Sequence, residues 1–168
     1  MDQAARTTAL PAETATAAPS GAQLRTRLAA LADWYATLSS ASLLHIDDYY
    51  TADARFRDPF NQVHGRDGIA DIFRHMFAVL EEPVFSVREQ LLDGQQAFIT
   101  WDFSFRRAGK VYQLHGGSHL RFAADGKVCL HRDYWDSAEE LLHKLPLIGA
   151  PLRLLRRLLS VHDQGWLE

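Results

Sequence analysis

The residues best suited to chemistry lie together in one late segment, from Leu130 to Asp136. If this segment is a β-strand, alternate side chains point to opposite faces, so His131, Asp133 and Trp135 share one face. An imidazole beside a carboxylate can accept and donate protons, and burial raises the pKa of a carboxyl group. The pattern therefore predicts a general acid/base site. In the simpler alternative, His131 hydrogen-bonds a carboxylate and only holds the fold closed.

A second carboxylate, Asp58, stands before Pro59 at the end of a short extended segment that begins at Ala54. Two carboxylates in one apolar cavity separate their titrations, so that one can act as acid and the other as base. An aspartate in this position is also an ordinary turn residue that accepts hydrogen bonds from backbone N–H groups. Both interpretations of Asp58 stay open at the level of sequence.

Other kinds of site are not indicated. His115 and His119 share a face of a predicted strand opposite Ser118, but no Cys, Glu or third His stands at a suitable spacing, so we expect no metal. No glycine-rich phosphate loop or nucleophile motif occurs, and we expect no cofactor. The formal net charge of -3 and the pI near 6.2 provide no basic field for nucleic acid.

The elements that must position these residues follow one another in a simple order. Apolar spacing predicts helices over 23–38, 42–50 and about 69–80, the last one after a turn that begins at His64. After Pro83 the period changes to that of strands, with turns at 93–94, 109 and 125–126. Helices followed by an antiparallel meander are typical of an α+β fold. The predicted strands are 84–92, 97–106, 110–122 and 127–135.

The strand over 97–106 has one wholly aromatic face, made of Trp101, Phe103 and Phe105. Its other face carries polar residues such as Asp102. An aromatic stripe is typical of a packed core and also of a pocket wall. Because the polar residues of the late segment are expected on the same concave side, we favour a pocket.

The segment from Tyr50 to Phe60, followed by His64 to Phe73, resembles the nuclear transport factor 2-like superfamily. It carries an Asp-Pro step and then Gly65-Arg-Asp-Gly-Ile69 at a helix start. Within that superfamily the chain is most similar to ketosteroid isomerases and SnoaL-like polyketide cyclases. The resemblance implies a cone-shaped α+β barrel, in which N-terminal helices pack on a strongly curved, mostly antiparallel sheet around one apolar pocket. The expected division is a disordered leader over 1–21, this domain over 22–137 and a helical extension over 138–168.

The resemblance also assigns roles to single residues. Asp58 falls on the general base of the isomerases, and Asp133 resembles the catalytic aspartate that SnoaL-like cyclases carry on a late strand. The isomerases need two proton donors to a developing enolate, but Ser118 and Trp34 stand in those places, with Tyr35 next to the second. Steroid isomerisation itself is therefore not expected.

We expect the chain to bind a small hydrophobic molecule, as a cofactor-independent isomerase, cyclase or hydrolase that uses Asp58, His131 and Asp133. The first alternative is a carrier or sensor of the same fold that performs no chemistry. A purely structural module, with its cone filled by side chains, is a third possibility. The residues expected to line the pocket are Trp34, Tyr35, Phe60, Phe73, Phe77, Trp101, Phe103, Phe105, Ser118, Leu120 and Trp135.

The composition also bears on the cellular location of the protein and on its partners. The single cysteine, Cys129, fits a reducing cytoplasm, and no apolar run reaches the length of a membrane-spanning helix. We expect a homodimer without nucleic-acid or integral membrane association. The basic, leucine-rich stretch 152–159 is expected to pack on its own domain or across a dimer, or else to lie on an anionic membrane surface or close over the pocket.

Overall fold

The computed structural model describes residues 18–135, which begin with helix α1, Gly21–Ala36. Ser20 caps this helix in a capping box, because its hydroxyl accepts from the backbone N–H of Gln23 while the Gln23 side chain accepts from the N–H of Ser20. The face of the helix toward the sheet is buried. It carries Leu24, Leu28, Leu31, Trp34 and Tyr35.

The second predicted helix is shorter than expected. A 3-10 turn, Ser42–His45, leads into the single-turn helix α2, Ile46–Tyr49, and the chain then becomes strand β1, Tyr50–Arg57. Tyr50 was predicted to end a helix, but it begins a strand that is paired on both sides. A short strand that was not predicted, β2, Gln62–His64, lies between Pro59 and helix α3, Arg66–Val79.

Four long strands follow, at the positions that the sequence predicts, with ends that differ by a few residues. They form one six-stranded sheet with β1 and β2, in the order β2-β1-β6-β5-β4-β3. The sheet is mixed, because β1 and β6 run parallel while all other neighbours are antiparallel. The α+β prediction is thus confirmed. The strands are β3, Glu81–Asp93; β4, Gln96–Arg107; β5, Lys110–Phe122; and β6, Val128–Trp135.

Helices α1 and α3 pack against the sheet, α1 mainly on β3 and α3 mainly on β1. The inward residues of β4 alternate along the strand as predicted, so that Ile99, Trp101 and Phe103 are buried. Gly116 on β5 makes room for the Trp101 ring, since a Cβ there would lie 2.5 Å from the ring. This close approach packs the Trp101 ring directly against the backbone of β5.

The predicted leader and C-terminal extension, including 152–159, fall almost entirely outside the described residues. Between residues 18 and 135, no helix is both long and apolar enough to cross a membrane. The cytoplasmic location, the homodimer and the proposed role of 152–159 stay predictions.

Candidate functional site

The site is built on β6, which lies between β1 and β5. Its inward residues are His131 and Asp133, as the alternation predicts. His131 faces Phe56 of β1 on one side and Leu120 of β5 on the other, and only 3% of its surface is exposed. Asp133 is paired with Ser118 of β5 and keeps 17% of its side chain exposed. The imidazole is therefore enclosed, whereas the carboxylate stands nearer the open end of the cone.

Both ring nitrogens of His131 have partners. Nε2 lies 2.7 Å from Oδ1 of Asp133. Nδ1 lies 2.6 Å from the hydroxyl of Tyr50 and 3.2 Å from that of Tyr35, and the two hydroxyls are 2.6 Å apart. Burial raises the pKa of both tyrosines well above the usual value, so both are neutral phenols in the folded protein.

Asp133 accepts a second hydrogen bond on the same oxygen. The hydroxyl of Ser118 donates to Oδ1 at 2.5 Å, and Nε1 of Trp101 donates to the Ser118 oxygen at 2.8 Å. Across residues 18–135, no protein donor reaches the other carboxylate oxygen, Oδ2. Both donors lie on Oδ1, so Oδ2 is left available to a ligand.

A small cavity of about 20 Å³ lies next to this chain of hydrogen bonds. That volume accepts a group about as large as one water molecule. Four of the residues predicted to line the pocket do so: Tyr35, Phe73, Trp101 and Ser118, with His131 and Asp133 beside them. The rest of the wall was not predicted and consists of Phe85, Val87 and Ile99.

A wider, open cleft of about 660 Å³ lies on the other side of Asp133. Asp133 lines both spaces and is the one described residue that they share. The cleft has mixed polarity, because two arginines and two aspartates accompany its apolar residues. It is lined by Arg57, Asp58, Pro59, Arg132, Asp133, Tyr134 and Trp135.

Asp58 lines the cleft and is absent from the wall of the inner cavity. Its Oδ1 accepts from the backbone N–H groups of Phe60 and Asn61, at 2.7 and 2.5 Å, and the Asn61 amide donates to Oδ2 at 2.9 Å. Both oxygens are thus engaged in a turn. The geometry matches the turn interpretation, and no hydrogen bond joins Asp58 to His131 or Asp133 within the described residues.

Other predicted lining residues lie away from the inner cavity. Trp34 stacks on Tyr49 and donates from its indole to the Ser42 carbonyl at 3.1 Å, so it is not directed at a ligand. Phe60 is 60% exposed and meets Trp135 edge to face, at the cleft. The remaining four residues are core or near-core residues. These are Phe77, Phe103, Phe105 and Leu120.

Tyr50 is the participant that the sequence did not indicate. It is fully buried at the start of β1 and stacks on the His131 ring in addition to its hydrogen bond. The helical interpretation of 42–50 concealed it, because a residue at the end of a helix is not expected to face a strand six elements later. A tyrosine just before an alternating extended segment was the only available signal.

The outer face of the sheet carries a separate polar group. Asp102 accepts from His115 at 2.8 Å and pairs with Arg88, while His119 hydrogen-bonds Gln96. His115 and His119 thus lie on the convex side, opposite Ser118, as predicted. Within residues 18–135, no three His, Cys, Asp or Glu side chains are arranged to hold a metal ion.

Helices packed on a curved mixed sheet, with His131 and Asp133 on its concave side, are typical of a nuclear transport factor 2-like domain. The SnoaL-like domain family matches residues 31–131, and the chain belongs to that family. Among curated protein sequences, none matches this chain significantly.

Solved structures share the fold at low sequence identity. A SnoaL-like polyketide cyclase candidate from Jannaschia sp. CCS1 superposes with a TM-score of 0.61 at 14% identity, over 70% of this chain and 88% of that one. TerC, co-crystallised with polyporic acid, gives 0.60 at 16% identity, over 70% and 94%. AclR from Streptomyces galilaeus, a hydroxylase candidate, gives 0.59 at 17% identity, over 83% and 96%.

Proposed function

We propose that this protein binds a small, largely apolar organic molecule at the junction of cavity and cleft and exchanges a proton with it through Asp133 and His131. The reaction class is a cofactor-independent isomerisation or cyclisation. The observation that carries the proposal is the free Oδ2 of Asp133, on a carboxylate whose other oxygen is held by His131 and Ser118.

The two spaces suggest how such a molecule sits. The inner cavity, at about 20 Å³, accepts only a hydroxyl or a carbonyl oxygen, whereas the cleft has the volume of a small-ligand site. The apolar body would therefore lie against Pro59 and Trp135, with its polar group directed inward past Asp133. A polyketide cyclase candidate and TerC with polyporic acid are among the structural neighbours, which supports a small organic ligand.

Asp133 is better suited than Asp58 to be the base. A general base needs a lone pair that can reach the ligand. The turn directs hydrogen bonds to both oxygens of Asp58, whereas Oδ2 of Asp133 receives none from residues 18–135. Asp58 then acts in the proposal as a structural residue that shapes the rim of the cleft.

A carrier that performs no chemistry is the second candidate, and the small inner cavity favours it. A carrier needs the cleft and its apolar residues but not an ionisable group at the junction. The two candidates differ in what Asp133→Asn does: it abolishes turnover in an enzyme, whereas a carrier keeps its ligand if the amide replaces the lost contacts.

The test begins with native mass spectrometry of the purified protein, to identify a copurifying ligand. Binding of 2-naphthol, an apolar molecule with one hydroxyl, is then compared by fluorescence in wild type, Asp133→Asn and Asp58→Asn. We expect Asp133→Asn to weaken binding about tenfold, the cost of one charge-assisted hydrogen bond. Asp58→Asn should bind nearly as wild type does.

Asp102→Asn is the matched control, since it removes a carboxylate from the outer face of the same sheet. Equal affinity of wild type and Asp133→Asn for 2-naphthol would contradict the proposal. If only Asp58→Asn lost affinity for 2-naphthol, Asp58 would be the better candidate for the base.

A further inference from the structure

The hydrogen bonds around His131 run in one direction. Nδ1 of an imidazole has a single lone pair, and when Nε2–H donates to the ionised Asp133, Nδ1 must accept. Tyr50, at 2.6 Å, is the better-placed donor to Nδ1, compared with Tyr35 at 3.2 Å. Tyr35 in turn donates to the Tyr50 oxygen at 2.6 Å. Every donor from Tyr35 onward thus points toward Asp133.

Tyr35 is the inner end of this chain. It lines the cavity and Tyr50 does not. In the direction just assigned, the Tyr35 oxygen accepts no hydrogen bond from any residue between 18 and 135. It is therefore the acceptor that a group entering the cavity meets, while Asp133 at the other end lines both the cavity and the cleft.

We propose that Tyr35 accepts a proton from an enol or phenol hydroxyl in the cavity, and that Tyr50 and His131 relay one proton to Asp133. This inference rests on the proposed function and adds to it the chemical class of the ligand and the residue that it contacts. Tyr35 is the catalytic residue in this step, and Tyr50 and His131 act through it.

The step balances in atoms and charge. The ligand O–H breaks and its proton bonds to the Tyr35 oxygen, while the Tyr35 proton passes to Tyr50 and the Tyr50 proton to Nδ1. The Nε2 proton passes to Oδ1 of Asp133. The products are a ligand oxyanion, the Nδ1–H tautomer of His131 and a neutral Asp133, and each hydrogen bond of the chain is remade with its direction reversed.

The surroundings favour a concerted transfer. Because burial raises the pKa of Tyr35 and Tyr50, neither forms a stable tyrosinate between the ends of the relay. The negative charge moves directly from Asp133 to the ligand oxygen. Tyr35 then donates to that oxyanion, which gives an enolate or phenolate a hydrogen bond that the neutral ligand does not receive.

The first test needs no ligand. Nitrogen NMR of protein labelled with ¹⁵N in histidine distinguishes the two neutral tautomers of His131. We expect the Nε2–H form in the free wild-type protein. Finding the Nδ1–H form would overturn the relay, whatever the protein binds.

The second test uses 4-nitrophenol, whose phenolate is yellow and whose neutral form is not. In wild type, we expect the bound probe to ionise and His131 to change to the Nδ1–H tautomer. Tyr50→Phe keeps Tyr35 in the cavity but interrupts the chain, so the ratio of bound phenolate to phenol should fall about tenfold. Tyr35→Phe should have the same effect.

Tyr49→Phe is the control, because Tyr49 stacks on Trp34 outside the chain. If Tyr50→Phe ionises bound 4-nitrophenol as much as wild type does, the relay is contradicted, whereas the proposed role of Asp133 is not. Failure of 4-nitrophenol to bind wild type contradicts the ligand class. If Asp133→Asn loses binding of 4-nitrophenol while Tyr35→Phe and Tyr50→Phe behave as wild type does, the proposed function is supported and the relay is contradicted.

Discussion

The hydroxyl of Ser118 lies 2.5 Å from Oδ1 of Asp133, at directly paired positions of β5 and β6. From the resemblance to the isomerases, Ser118 was expected at the position of a proton donor to the substrate. Here its hydroxyl donates a hydrogen bond to the carboxylate of Asp133 instead. The site is thereby centred on Asp133, with His131 and Ser118 as its two donors.

The Ser118 hydroxyl should be important for stability as well as for the site. Ser118→Ala removes one donor to Asp133 and leaves the buried Trp101 indole N–H without its acceptor. We expect the free energy of unfolding to fall by about 1–3 kcal/mol, measured by urea denaturation. Ser104→Ala, on the outer face of β4, is the matched control and should change stability by less than about 0.5 kcal/mol. Equal losses in the two variants would contradict the buried hydrogen bond.

Replacing the imidazole of His131 should lower the free energy of unfolding more than Ser118→Ala does. His131→Phe keeps a planar ring but removes one hydrogen-bond partner from Tyr50 and one from Asp133, which keep Tyr35 and Ser118. We expect a loss of about 2–4 kcal/mol in urea denaturation, because two buried hydrogen bonds are lost and a bond to a carboxylate is worth about 1.5–3 kcal/mol. His119→Phe, on the convex face, should be nearly neutral. A His131→Phe protein as stable as wild type would show that the network is not formed in solution.

Two adjacent glycines on β5 should respond differently to the same change. A Cβ at Gly116 would lie 2.5 Å from the Trp101 ring, which is buried and held by its bond to Ser118. A Cβ at Gly117 would meet the end of the Phe98 ring at 2.6 Å and the Ile99 carbonyl oxygen at 3.1 Å, but Phe98 is 38% exposed and less confined than Trp101. We expect Gly116→Ala to cost about 1–3 kcal/mol of stability.

Gly117→Ala is the matched comparison, and it should lower the stability of the fold less than Gly116→Ala does. Thermal unfolding of both variants measures the difference, and the fluorescence of Trp101 should change only in Gly116→Ala. A larger loss in Gly117→Ala would contradict the assignment of Trp101 as the rigid wall.

The sequence predicted those parts of the fold that depend on local pattern. Strict alternation placed His131 and Asp133 on one face of β6, and the change of period after Pro83 separated helices from strands. The sequence did not predict which distant elements pair with each other. Tyr50 meets His131 only because β1 runs parallel beside β6, and no local pattern encodes that contact.

Asp58 illustrates a second limit of sequence reasoning. Its type and its place before Pro59 fit both a general base and a turn residue, and the difference lies in where two oxygens point. The Asn61 side chain and two backbone N–H groups decide that direction. Such contacts depend on the backbone angles of the turn, which residue types alone do not specify.

The outer face supplies a prediction on pH. The hydrogen bond from His115, and then the one from Arg88, hold the pKa of Asp102 below its usual value. A depressed pKa in the folded state stabilises the fold above the unfolded pKa of about 3.9, and this stabilisation is lost as the pH falls through the folded value. Because Arg88 and His115 are exposed, we expect at most about 1 kcal/mol.

Asp102→Asn should therefore be less stable than wild type at about pH 7, and the difference should shrink below about pH 4. Urea denaturation of both proteins across that range measures it, with added salt reducing the difference at neutral pH because the pair is screened. Asp93→Asn provides a comparison, since Asp93 ends β3 and forms no ion pair within residues 18–135. A difference that grows as the pH falls below about 4 would mean that the folded state does not favour the ionised Asp102, and the assigned partners would then be wrong.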